Sequence, residues 1–286
     1  MCRLFGFRAS IPSKVHRALV SESNALRHQS QEHRDGWGVA YYRDGQPHVS
    51  RSITGAFEDE GFAELSSFIS SDTVVAHVRK ASVGPLSIEN THPFGYGPWV
   101  LAHNGTVPKF DALKDGLEAE CAPRHRERLS GDTDSERLFA LLLTRLELRC
   151  DPLAPDVPLP TVFEAMDETV RLVMARCAHH NEDPSLNLVL TNGRIMAAFR
   201  HGRSLFHSTY KTECPERTTC GYFTGSCESA VSEEIPVNHF LVASEIIGGP
   251  NVWTEIPENQ FIGVDDQMKV RRRWLSGHGP KLAMAG

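Results

Sequence analysis

The sequence predicts an α+β layered domain with antiparallel sheet pairing, on three observations. Short apolar or β-branched segments bounded by Gly, Asp and Pro occur through the first hundred residues and return after Asn187. Two places between such segments carry Asp44-Gly45 and Asn192-Gly193, dipeptides that tolerate positive φ and so favour tight hairpins. The strongest helical periodicity lies in one block between the two strand regions, instead of alternating with strands.

Taken along the chain, Val15 to Arg27 is the first helical candidate, and Trp37 to Tyr42, Thr73 to Val78 and Trp99 to His103 are strand candidates. Ser135 to Arg149 places Leu138, Leu141, Leu142 and Leu146 on one helical face. Val162 to Cys177 does the same with Phe163, Met166, Val170, Val173, Met174 and Cys177. The proline-rich stretch from Cys150 to Pro160 reads as a loop, not a domain boundary. Strands are then expected at Leu188 to Leu190, Ile195 to Phe199, Phe240 to Ala243, Phe261 to Val264 and Met268 to Arg271. With no internal repeat, residues 1–286 read as one domain, with a core over 2–275 and an irregular tail from Ser276 to Gly286.

Composition narrows the class. The 286 residues are 40% hydrophobic and 23% charged with a net charge of −6, an ordinary globular balance that argues against a nucleic-acid surface. No run approaches the ~20 apolar residues of a membrane span, and the N-terminus lacks a signal-peptide pattern, so a cytoplasmic location is expected. Seven cysteines, an odd number in a chain of this size, favour reduced thiols.

Five segments carry chemistry. If Met1 is removed, Cys2 holds a thiol and a free α-amine, so one residue supplies both nucleophile and base. Arg79, in His77-Val78-Arg79-Lys80-Ala81-Ser82 at a strand end, can grip a carboxylate through its planar fork. An Asn side-chain amide and a Gly backbone N–H, as in Asn104-Gly105, can converge on one oxyanion, although the pair also suits a simple turn. Asp132-Thr133-Asp134 opens the first long helix and suits capping, or a carboxylate facing an ammonium group. Asp35-Gly36-Trp37-Gly38 suits either close backbone approach or a turn. Neither His77, His92 and His103 nor Cys214, Cys220 and Cys227 has the paired spacing of a structural zinc site, so no metal or cofactor is expected. Arg271-Arg272-Arg273 reads as an exposed charge run.

In this order, Met1-Cys2-Arg3-Leu4-Phe5-Gly6, Asp35-Gly36-Trp37-Gly38, His77-Val78-Arg79, Asn104-Gly105 and Asp134 resemble the class II glutamine amidotransferases, a branch of the N-terminal-nucleophile hydrolases. The likeness is strongest to the stand-alone branch of YafJ-type proteins and the ergothioneine-pathway amidohydrolase, and Leu241-Val242-Ala243-Ser244-Glu245 is similar to a late strand of that branch. The resemblance implies a four-layer αββα sandwich. It also implies Cys2 as nucleophile, Asn104 and Gly105 as oxyanion hole, Arg79 and Asp134 as clamps on the substrate's α-carboxylate and α-ammonium, and Ser82 and His92 as pocket-lining residues. Trp37 joins the substrate-binding set through its glycine-flanked motif. Synthase-linked relatives carry an aromatic residue after the pocket arginine, where this chain has Lys80. The length is expected to leave no room for a synthase domain. The implied reaction is hydrolysis of glutamine or a γ-glutamyl amide or peptide. Delivery of ammonia to a separate synthase partner, and a non-catalytic binding module on the same fold, remain alternatives.

Overall fold

A computed structural model describes residues 2–279, and thirteen strands and six α-helices organise them. The first part of the chain holds β1 (Arg3–Lys14), α1 (Leu26–Gln29), β2 (Trp37–Arg43), β3 (Gln46–Ser52), α2 (Glu60–Phe68), β4 (Ser70–Val78), β5 (Phe94–Tyr96) and β6 (Trp99–Thr106). A helical block follows: α3 (Phe110–Ala119), α4 (Pro123–Arg126), α5 (Asp134–Glu147) and α6 (Leu159–Ala178). The chain then forms β7 (Ser185–Thr191), β8 (Met196–Arg200), β9 (Phe206–Ser208), β10 (His239–Ala243), β11 (Thr254–Glu255), β12 (Gln260–Val264) and β13 (Val270–Trp274).

One sheet runs β11-β9-β10-β1-β4-β2-β3 and the other β13-β12-β8-β7-β6-β5, with antiparallel neighbours. Leu4, Ala40, Val75 and Val242 of the first sheet meet Val100, Ala102, Val189 and Ile262 of the second in an apolar inner layer. The outer face of the first sheet, with Phe5, Val39 and Val74, packs on Leu19, Leu26 and Phe62. The outer face of the second, with Leu101, Leu188 and Phe199, packs on Leu138, Leu142 and Met166. Burying each Val, Leu, Ile, Phe or Met side chain among these contributes about 1.5–3 kcal/mol, so both sheets are held from two sides. The result is the four-layer αββα sandwich that the resemblance implied.

Several expectations need correction. Val15 to Arg27 is not one helix: a single π-turn at Arg17–Ser21 and the short α1 are separated at Asn24, whose φ of 58° no helix accommodates. The last expected strand shifts from Met268 to Val270, because Met268, at φ 59°, closes the turn before it. The first long helix begins at Asp134, with the Thr133 hydroxyl accepting from the Glu136 N–H as its cap. The two hairpins form as read: Arg43 pairs with Gln46 around Asp44-Gly45, and Thr191 with Met196 around Asn192-Gly193. Of the expected tail, residues 280–286 lie outside the described residues. Among the described residues no helix is long and apolar enough to cross a membrane.

Candidate active site

Strand alternation decides which side chains meet between the sheets. Leu4 faces the inner layer and Phe5 the outer one, so Cys2, two residues before Leu4, faces inward. By the same period Arg79 is in phase with Val75, Asn104 with Ala102, and Ser244 with Val242. Four chain-distant residues therefore converge at one end of the inner layer. Arg3 pairs with Val78 across β1 and β4, so one further step sets Cys2 opposite Arg79.

The Cys2 sulfur lies against the backbone of Lys80, whose N–H donates to Sγ at 3.3 Å and whose carbonyl accepts from it at 3.4 Å. Burial pushes the Cys2 thiol up, while the Lys80 N–H and the Arg79 charge pull it down without cancelling that rise. The thiol therefore needs a base at neutral pH. His33, close enough to feel the charges of Arg3, Lys80 and Asp35, is a poor one, since burial first and those cations next push it down to about 4.

Arg79 is held by the loop that follows it. Its Nη2 donates to the carbonyls of Val83, Gly84 and Pro85 at 3.1, 3.3 and 3.2 Å, and Nη1 to Pro85 at 3.2 Å. Asn90 ties the same loop to the start of α5, donating to Pro85 O at 3.0 Å while its Oδ1 accepts from Asp132 N at 2.7 Å. Two residues on, Asp134 Oδ2 accepts from Val107 N at 2.8 Å and Oδ1 from Ser135 N at 2.8 Å. One buried asparagine thus links the guanidinium's loop to the carboxylate's helix.

The Asn104-Gly105 pair is not a turn. Both residues lie within β6, opposite Asn187 and Leu186 of β7. A Cβ on Gly105 would fall 1.8 Å from the Ser185 carbonyl oxygen, so only glycine allows the strands to approach this closely. Asn104 is tied to the first sheet through Ser244, whose Oγ accepts from Asn104 Nδ2 at 2.9 Å and from Leu4 N at 3.0 Å. Asn104 Oδ1 is then buried with no partner. A half-turn of the amide lets the Ser244 hydroxyl donate to Oδ1 while still accepting from Leu4, and frees Nδ2 for the space between the sheets. Next to Ser244, Glu245 pairs with Arg3 at 2.9 Å, and Arg3 also bonds the Cys2 carbonyl at 3.3 Å.

Other expected positions fall elsewhere. Ser82 is exposed on the loop whose next three carbonyls hold Arg79. His92 is buried against His77, ring centroids 4.3 Å apart, and against Phe94 at 4.6 Å, behind Arg79. Trp37 is in phase with Val39, so its indole lies on the outer face of the first sheet, donating to Asp59 Oδ2 at 2.8 Å and packing edge-on to Phe62. The structure does not bring Trp37 to the other site residues; its neighbour Asp35 comes instead, accepting from Ala81 N at 2.7 Å. His77, His92 and His103 do converge, yet among the described residues no group of three or more His, Cys, Asp or Glu is placed to hold a metal ion. Ser244 was legible only as part of its late-strand motif and Asn90 not at all, because their roles depend on partners far away in sequence.

Residues 1–214 match the family of class-II glutamine amidotransferases. The chain is 29% identical to the probable glutamine amidotransferase DUG3 of Saccharomyces cerevisiae, over 93% of this chain and 82% of that one. It is 28% identical to the putative glutamine amidotransferase YafJ of Escherichia coli, over 70% and 72%. A shorter stretch is 34% identical to the gamma-glutamyl-hercynylcysteine sulfoxide hydrolase of Mycobacterium tuberculosis, over 38% and 51%. The fold is similar to that of a class-II glutamine aminotransferase domain protein from Silicibacter pomeroyi, with a TM-score of 0.65 at 18% identity over 96% and 99% of the two chains. A family match over most of the chain, on an αββα sandwich with an inward-facing cysteine at the head of its first strand, places this enzyme among the class-II glutamine amidotransferases.

Proposed function

We propose that this chain hydrolyses the side-chain amide of glutamine or of a γ-glutamyl amide or peptide, with Cys2 as an N-terminal nucleophile. The observation that carries this reading is the convergence of Cys2, Arg79 and Asn104 at one end of the inner layer, with Asp134 near enough for its charge to act on the Cys2 thiol. Removal of Met1 exposes the α-amine of Cys2. Arg79 takes the substrate's α-carboxylate and Asp134 its α-ammonium. The amine accepts the thiol proton, and the sulfur attacks the amide carbon. The carbonyl electron pair moves to oxygen, where Asn104 Nδ2 and the Gly105 N–H hold it. As the tetrahedral adduct collapses, the ammonium returns its proton to the departing nitrogen and the C–N bond breaks, leaving a γ-glutamyl thioester. Water then attacks, losing its proton to the same amine, and glutamate leaves as the thiol re-forms.

The relative named a gamma-glutamyl hydrolase supports hydrolysis of a larger γ-glutamyl compound over glutamine itself. The test is glutamate release from glutamine and from several γ-glutamyl amides, using protein whose mass confirms an N-terminal cysteine. Release that vanishes in Cys2→Ala supports the reading; release retained in that variant refutes it.

A further inference from the structure

Arg203, which none of the expected site residues includes, lies at the corner of the site opposite Arg79. It belongs to the connection between β8 and β9, and three observations fix its place. Its Nε donates to Ser185 Oγ at 3.0 Å, and that hydroxyl also accepts from Thr106 N at 3.0 Å, one residue beyond Gly105. Its backbone is fastened by Asn187, the register partner of Asn104, whose Nδ2 donates to Arg203 O at 3.3 Å and Ser204 O at 3.0 Å. In the first sheet β4 lies on one side of β1, and β10 and β9 on the other. Arg79 follows β4 and Arg203 precedes β9, so the two residues leave the chain on opposite sides of β1, and both guanidinium groups lie near enough to feel the Cys2 sulfur.

The side chain is half-buried, and among the described residues it makes no ion pair, whereas its neighbour Arg200 is held by Glu255 and Glu258. Burial lowers the Arg203 guanidinium's proton affinity, the Cys2 sulfur opposes this and Arg3 adds to it, as expected of a cation at the nucleophile's edge. An arginine fixed through Nε and open at its other nitrogens is a pre-oriented carboxylate fork.

We infer that Arg203 binds a carboxylate on the leaving-group side, so that the preferred substrate is a γ-glutamyl amide whose departing amine carries a carboxylate, as in a γ-glutamyl amino acid or peptide. The inference rests on the amidohydrolase reading. With the γ-glutamyl end held by Arg79 and Asp134, the substrate's far end points past the oxyanion pair toward Ser185 and Arg203. Glutamine, which releases only ammonia, leaves that fork unused.

The test compares γ-glutamylglycine with γ-glutamylglycinamide, which differ only in replacing the carboxylate by a neutral amide. Wild type is expected to favour the acid by about ten- to a hundredfold in kcat/KM, the range for a charge-assisted pair. In Arg203→Gln that ratio falls to about one, and in Arg203→Lys it is intermediate. A wild-type ratio near one overturns the inference while leaving the amidohydrolase standing. An equal loss on both substrates in Arg203→Gln also overturns it, making the residue a strut for Ser185. If wild type releases glutamate from no γ-glutamyl compound, the amidohydrolase reading falls and this inference with it.

Discussion

Replacing Ser244 by alanine removes one hydroxyl that joins the strand of the proposed nucleophile to the proposed oxyanion asparagine. In the structure that oxygen serves Leu4 N at 3.0 Å and the Asn104 amide at 2.9 Å, and both residues are almost fully buried. Each buried polar group left without a partner costs about 1–3 kcal/mol. The Ser244 N–H still donates to Leu4 O at 3.1 Å, so the strands stay paired and the loss of stability should be about 2–6 kcal/mol in total. The rate effect is separate. Losing an oxyanion donor outright costs about 10²–10³ in kcat, and an amide released from Ser244 still presents Nδ2 part of the time, so a fall of roughly 10- to 100-fold is expected. The assay is steady-state glutamate release with a melting curve on the same protein, for Ser244→Ala, Asn104→Ala and the double variant. The expected pattern is a lowered kcat with little change in KM, and a double variant no slower than Asn104→Ala. Wild-type kcat in Ser244→Ala, or rate losses that multiply, would refute the argument that Ser244 acts through Asn104.

Arg79→Lys replaces the planar fork, held by three successive carbonyls, with a point charge on a flexible stem. KM for any γ-glutamyl substrate should rise about tenfold or more with a smaller change in kcat, and an unchanged KM would remove Arg79 from the clamp. Gly105→Ala puts a methyl group 1.8 Å from Ser185 O, so the β6–β7 ladder must part. A loss of at least about 2 kcal/mol in denaturant melts is expected, and wild-type stability would contradict that packing. Acid should also destabilise the fold. Burial lowers His77 and His239 to about 3, and His33 and His207 to about 4, below the ~6.5 of an unfolded histidine. Between those values the unfolded chain binds more protons, so stability is full above about pH 6.5 and falls as pH drops toward 4. Melting temperature against pH measures this, and a flat profile from pH 7 to 4.5 would show that these rings are not buried neutral.

The two hairpins and both long helices were legible because they depend on local chemistry: turn dipeptides, apolar periodicity and capping residues; the order of layers came only from the family resemblance. The central strand β1 was not legible. Its Leu4, Phe5 and Phe7 are all buried, so it lacks the one-sided alternation of a surface strand, and Arg3 and Arg8 find Glu245 and Asp72 only after folding. The same limit explains the dipeptides. Asn192-Gly193 turns a hairpin, with Gly193 at φ 85°, whereas Asn104-Gly105 stays in a ladder because Ser185 lies against it. Trp37 shows the cost of reading a motif without its phase. The flanking glycines drew attention to the indole, while the alternation with Val39 turns it to the outer face; Gly36, at φ 124°, breaks that phase before the strand begins, and Asp35 reaches the Ala81 N–H. Ser244 and Arg203 reach the site only through pairing of strands far apart in sequence.

The most direct test of the central claim is mass spectrometry of enzyme quenched in acid during turnover of a γ-glutamyl amide. Cys2 acylation should give a chain beginning at Cys2, heavier by one γ-glutamyl group, with the added mass confined to the N-terminal peptide and lost on standing with water at neutral pH. Steady glutamate release from protein that retains Met1, or an adduct mapped to another residue, would contradict it.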